Sequence, residues 1–279
     1  MLSAVLSYRP PYQWDSVLRF LASRALPNIE IIDNGVYSRC VFLNGVLGRI
    51  RVENDSLKSV LRIAATESLS PVLTDVLNRL RLMFDLDNAP AIVFEKLNFL
   101  NGIKDGACVI GTRSVGCFDA FETAVRTVLG QQITVKAAQT LAARFIAALG
   151  KPIETGFAFP SPEKIAALPE QTLIDLGIMP TRAKAISALA SGLCKHTLDL
   201  SPAANPETEI SKLLALPGVG PWTANYLAIR TMRTPDAFLD SDFGVKKALA
   251  PLTPKEIKAL KDRCRPFGSY ATFNLWNSL

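Results

Sequence analysis

Between residues 28 and 65, short apolar runs alternate with turn dipeptides: IEII, Asn34-Gly35, VYSRCVFL, Asn44-Gly45, VLGRIRVE, Asn54-Asp55, LKSVLRIAA. Asn-Gly between apolar runs marks a tight hairpin, because a type I′ turn needs positive φ at both central residues. Two such turns and a third polar one predict a four-stranded antiparallel meander. The flanking segments WDSVLRFLASRAL (14–26) and SPVLTDVLNRLRLMFD (70–85) carry apolar residues at helical spacing. Residues 1–87 are therefore expected to form a small α+β unit.

The pattern changes near residue 90. DAFETAVRTVLGQQ, TVKAAQTLAARFIAAL, TLIDLGI, RAKAISALASGL, EISKLLAL, WTANYLAIRTM, PKEIKALKDRC and SYATFNLWNSL all read as amphipathic or buried helices. Start signals support two of the breaks. Ser161-Pro162-Glu163 puts a capping hydroxyl before proline at the first helical position, and Thr253 with Glu256 has capping-box spacing. Residues 88–279 are expected to be almost entirely helical, in short pieces.

Composition narrows the class. Of 279 residues 49% are hydrophobic, enough for a sizeable core. No apolar run approaches the roughly 18 residues of a membrane span. The N-terminus has no signal-peptide pattern, and a cytoplasmic protein is expected. The five cysteines, at 40, 108, 117, 194 and 264, show no CxxC spacing. This argues against a zinc or iron–sulfur site and for reduced thiols. A formal net charge of +6 modestly favours a polyanionic partner.

The most specific stretch is LPGVGPWTAN (216–225), set between two apolar helices. Gly218 and Gly220 free the backbone for conformations other residues resist. Their lack of side chains lets a ligand approach the main chain. The first amides of the following helix have no intrahelical partners, so hairpin and helix start together can hold one anionic oxygen. A DNA phosphate fits and would be gripped without reading sequence.

This stretch resembles the helix–hairpin–helix motif of DNA-binding proteins. With FLDSDFGVKKAL (238–249) about twenty residues on, LGQQIT (129–134), LGIMPTRAKAI (176–186) and PPYQW (10–14), nearly the whole chain resembles the bacterial 3-methyladenine DNA glycosylase II family of alkylation repair. The resemblance implies two helical subdomains within 88–279 with the active-site cleft between them. It also implies a monomer acting on double-stranded DNA that contains alkylated bases. It assigns the catalytic carboxylate to Asp242. By residue type alone, Asp240 or Asp242 could equally cap the next helix.

The same resemblance assigns Trp222, Tyr226, Phe243 and Trp276 to the base pocket, although aromatic residues on helices more often fill cores. It assigns Gly218, Gly220 and Thr223 to the DNA contact. It puts Gln132 where the family inserts a leucine wedge into the duplex. It further implies a monovalent cation held by the carbonyls of Leu214, Leu216 and Val219, and no other cofactor. Relatives that also cleave the strand carry a lysine at the position of Trp222, so a glycosylase without lyase activity is expected. Two other readings fit the motif: a DNA-binding module without chemistry, and a glycosylase for deaminated or oxidised purines.

Overall fold

In the computed structural model, which describes residues 1–153 and 156–279, both Asn-Gly turns form as expected. Asn34 and Gly35 have φ of 48° and 78°, and Asn44 and Gly45 have φ of 50° and 81°. They join strands β2 (Glu30–Asp33), β3 (Val36–Leu43) and β4 (Val46–Asp55), and β4 continues to β5 (Val60–Ala65). The third turn lies at residues 56–59 rather than at Asn54-Asp55, with both of those residues still in β4. Its reason is local: the Asp55 carboxylate accepts from the Lys58 amide and pairs with Arg62, so it closes the turn from the strand end.

The sheet has five strands, not four. Strand β1 (Leu2–Ser7) pairs antiparallel with β5, giving the order β1-β5-β4-β3-β2. No turn signal precedes β1, and its partner lies some sixty residues on, so local pattern reading missed it. Helices α1 (Trp14–Ala22) and α2 (Leu73–Met83) cover the sheet. Trp14, Phe20, Tyr37, Leu61, Val76 and Phe84 share one core there.

The C-terminal part is helical apart from a short ribbon. After α3 (Pro90–Leu97) a largely irregular stretch leads to α4 (Ala120–Leu129) and α5 (Val135–Leu149). The ribbon, β6 (Lys151–Ile153) with β7 (Gly156–Ala158), departs from the all-helix expectation. Then come α6 (Pro162–Ala166), α7 (Glu170–Asp175), α8 (Pro180–Cys194), α9 (Pro206–Leu214), α10 (Pro221–Arg230), α11 (Phe243–Ala248), α12 (Pro254–Cys264) and α13 (Gly268–Asn277). Ser161 caps α6 and Thr253 with Glu256 forms the capping box of α12, as their spacing predicts. None of the described helices is long and apolar enough to cross a membrane.

The helices gather into two cores. One joins α4 and α5 with α6–α10, and the other joins α3 with α11–α13. Helix α10 is shared. Its Ala224, Leu227 and Ala228 enter the first of these, while Tyr226 and Ile229 enter the core under the sheet. A helix apolar on nearly all sides can be buried from two directions, and PWTANYLAIR is such a sequence. This sharing brings the start of α10, the end of α1 and the end of α13 to one cleft.

Candidate active site

Residues 215–220 link α9 to α10 as a hairpin. Gly218 has φ of 74°, and a Cβ there would lie 3.0 Å from the Thr181 carbonyl. Both conformation and space therefore require glycine. Gly220 differs from expectation: as N-cap of α10 its φ is −96°, which any residue adopts. A Cβ there would meet nothing within 4 Å, so this glycine leaves open space before the helix start. Pro221 at the first helical position has no amide to leave unpaired. The carbonyls of Leu214 and Val219 accept no hydrogen bond from the described residues outside regular helix, whereas that of Leu216 accepts from the Val219 amide.

The Thr223 side chain turns inward, which leaves only its main chain for the expected DNA contact. It is 3% exposed, and its hydroxyl accepts from Gln131 Nε2 at 3.0 Å. Gln131 also donates to the Gly218 carbonyl, which ties the LGQQIT loop to the hairpin. From α8, the buried Arg182 donates to the carbonyls of Leu129 and Gln131. Held on both sides, the loop presents Gln132 exposed, with φ of 54°.

Across from the hairpin, Asp242 caps α11, its Oδ1 accepting from the Val245 amide at 3.0 Å. Capping is only part of its bonding. Oδ1 also accepts from Trp276 Nε1 and Oδ2 accepts from Trp222 Nε1, both at 2.8 Å. Three donors on two oxygens fix the carboxylate in one orientation while it stays half-exposed to the cleft. Trp222 stacks on Tyr226 at 5.0 Å and 13°, and Trp276 stacks on Phe20 at 6.0 Å and 17°. Gly244 makes room for this: a Cβ there would come within 2.9 Å of the Trp276 ring. Phe243 is 81% exposed at the mouth of the cleft rather than enclosed with the other rings.

The cleft measures about 760 Å³ and takes in all four aromatic residues expected there together with Asp242. Its far wall was not anticipated. It includes Arg19 and Phe20 from α1, Arg24 just past its end, Arg126 from α4, and Arg230 from α10. Arg126 is bound to Glu30 at 3.1 Å and to Glu122 at 3.0 Å, and Glu122 also holds the buried Arg39 at 2.8 Å. Arg230 donates to the Gly116 carbonyl and to the Tyr226 hydroxyl. Burial pushes the Tyr226 phenol up, but Arg230, Arg24 and Arg126 outweigh it and hold its pKa below the ordinary value. His196 and the lysines at 246 and 247 are exposed.

This arrangement offers a fixed anion at one side of an aromatic cleft large enough for a purine, with cations opposite. Such a carboxylate stabilises positive charge developing beside it, without reorganising when the charge appears.

Comparison with known proteins agrees with the geometry. Residues 3–119 match the family model described as the AlkA N-terminal domain. Residues 125–261 match that of the HhH-GPD superfamily base excision DNA repair proteins. DNA-3-methyladenine glycosylase 2 of Escherichia coli is 34% identical over 274 residues, covering 97% of this chain and 95% of the relative. DNA-3-methyladenine glycosylase of Bacillus subtilis is 28% identical, covering 89% of this chain and 88% of the relative. Among solved structures, a 3-methyladenine DNA-glycosylase from Archaeoglobus fulgidus superposes with a TM-score of 0.79 at 20% identity, over 98% of this chain and 97% of that one.

Proposed function

The chain belongs to the HhH-GPD superfamily of base excision DNA repair proteins as a DNA glycosylase, and from that premise we propose that it is a monofunctional enzyme that flips alkylated purines such as 3-methyladenine and 7-methylguanine out of duplex DNA and hydrolyses their N-glycosidic bond. The observation that carries this reading is the Asp242 carboxylate clamped by two indole N–H groups at the side of an aromatic cleft. A DNA-binding module without chemistry would have no use for a carboxylate so held.

In this reading the base leaves the stack at a cost of a few kcal/mol. Stacking against the cleft aromatics returns roughly 1–3 kcal/mol, and a cationic base gains further from the indoles. As the bond to C1′ breaks, the electron pair leaves with the base and positive charge builds on the sugar. Asp242 stabilises that charge. Water then adds at C1′ and gives up its proton to the carboxylate or to solvent. N-alkylation has already made the purine a good leaving group, so no strong acid is needed. Gln132, exposed on its fixed loop, fills the gap left in the duplex and can bond the orphaned partner base.

The hairpin grips a phosphate through the amides at the start of α10. The carbonyl set of Leu214, Leu216 and Val219 suits a monovalent cation, because it consists of hard oxygens at the negative end of α9 and two of the three take no other bond from the described residues outside regular helix. When bound, such an ion would add positive charge near the phosphate. Gly220→Asp is the cleaner probe of this contact, since Gly218→Asp would also strain the turn. We expect Gly220→Asp to weaken binding about equally for every duplex sequence, by about tenfold for a like-charge contact with phosphate. Unchanged affinity in a fluorescence titration would take the hairpin out of the interface.

The reaction type has its own test. Trp222 stands where a lyase would carry its lysine, and its N–H is committed to Asp242. Borohydride added during turnover of a 7-methylguanine duplex should trap no protein–DNA adduct and leave an intact abasic strand. A covalent adduct would show that an amine, such as that of Lys246 or Lys247, attacks the sugar.

A further inference from the structure

We propose that Arg24 sets which damaged bases the cleft releases, favouring bases that are uncharged while still attached over bases that carry a positive charge. The inference rests on the glycosylase reading above and extends it to a residue outside the carboxylate–indole cluster.

The arginines in the cleft are not equivalent, and one of them, Arg19, is exposed to solvent and bonded to Ser16 Oγ. Arg126 is neutralised by Glu30 and Glu122. Arg230 is pinned by the Gly116 carbonyl and the Tyr226 hydroxyl. The Arg24 guanidinium bonds within its own turn, to Ser23 Oγ at 2.8 Å and the Phe20 carbonyl at 3.2 Å, and it also faces the Tyr226 hydroxyl, a neutral partner shared with Arg230. It has no ion-pair partner among the described residues. The Arg126 guanidinium donates to the Arg24 carbonyl, which fixes that backbone at the cleft. The Arg24 guanidinium carbon lies 4.0 Å from the centre of the Phe20 ring and 5.9 Å from that of Trp276. Trp276 is the ring stacked on Phe20 and bonded to Asp242. A base entering to stack on this wall therefore meets a cation that no carboxylate neutralises, in the same cleft as Asp242.

The consequence depends on the charge of the base. When the glycosidic bond breaks, the electron pair goes to the base and its charge falls by one. An N7-alkylated purine goes from +1 toward 0, and an uncharged purine from 0 toward −1. Relative to free enzyme and DNA, the transition state for the first still carries part of a positive charge on the base, which Arg24 repels. The transition state for the second carries part of a negative charge, which Arg24 attracts and to which its N–H groups can donate. The same side chain thus hinders one class and assists the other.

Two duplexes identical except for 7-methylguanine or hypoxanthine at one position test this, with affinity and single-turnover release measured for wild type, Arg24→Gln and Arg24→Lys. Arg24→Gln keeps a polar side chain but removes the charge. It should shift the ratio of release efficiencies toward 7-methylguanine by about tenfold, as expected for a unit charge acting on a partial one at this range. For 7-methylguanine the gain should appear as tighter binding, and for hypoxanthine the loss as slower release. Arg24→Lys should hold the wild-type ratio to within a small factor. Partial misfolding would scale both rates alike and leave the ratio untouched. An unchanged ratio in Arg24→Gln, or equal rises for both bases as for a mere steric plug, would overturn the role of Arg24 while leaving the glycosylase reading intact. A wild-type protein that releases neither base would overturn both.

Discussion

Asp242→Asn is expected to release 7-methylguanine on the order of 10²–10³ times more slowly than the wild type while binding the same duplex with similar affinity. On the proposed mechanism, the substitution removes the charge that faces the sugar. It also disturbs the clamp. The carboxylate accepts three hydrogen bonds on two oxygens, from Trp222, Trp276 and Val245. An amide offers only one accepting oxygen, so at least one indole N–H or the cap must face an NH₂. That costs about 1 kcal/mol of stability, too little to account for the loss of rate. Asp240→Asn is the matching control, since both indole N–H groups donate to Asp242 and not to Asp240. Single-turnover release on one substrate compares all three proteins. Full activity in Asp242→Asn with a collapse in Asp240→Asn would move the catalytic role to the other aspartate.

What could be read from the chain follows from range. The Asn-Gly turns, the cap at Ser161 and the capping box at Thr253 are each decided within a few residues, and each formed as read. The LPGVGPW hairpin is equally local, and Gly218 occupies the left-handed turn it implies. Gly220 was grouped with it by residue type, yet only the open space before α10 distinguishes it. Strand β1 was missed because its partner β5 is remote and no turn joins them. The arginine wall was missed for the same reason, since α1, α4 and α10 meet only in the folded chain. Phe20 reads as an ordinary core residue of an amphipathic helix. Glu122 and Arg126, four apart on α4, have the spacing of a solvated surface pair, yet Glu122 is 2% exposed. Burial is the property that periodicity alone assigns least well to a charged residue on a mostly apolar helix.

That burial sets the largest stability change expected for a single substitution here. Glu122→Ala should lower the free energy of unfolding by about 3–5 kcal/mol, because it strands Arg39 as an unpaired charge in the interior. Arg39 is 5% exposed. Its remaining direct partners are the Cys40 carbonyl at 3.1 Å and the face of the Phe118 ring at 4.4 Å, neither of them an anion. Glu30 across the strand pair attracts it at longer range but is already paired with Arg126. Arg126 is affected less, since it keeps Glu30 at 3.1 Å. The Glu30 carboxylate is itself held by the Tyr37 hydroxyl and the Leu26 amide. The network therefore links β3, the start of β2 and α4, and any loss at Glu122 falls on the contact between the sheet and the helical region. Removing both charges should be far milder. Arg39→Met with Glu122→Leu replaces a buried ion pair by apolar groups of similar size, which is often neutral or stabilising. Urea unfolding of wild type, Glu122→Ala and the double variant separates these cases. A cost below about 1 kcal/mol for Glu122→Ala would rank the pair with solvated surface bridges. A double variant no more stable than Glu122→Ala would show that the cost comes from lost packing and not from the stranded arginine.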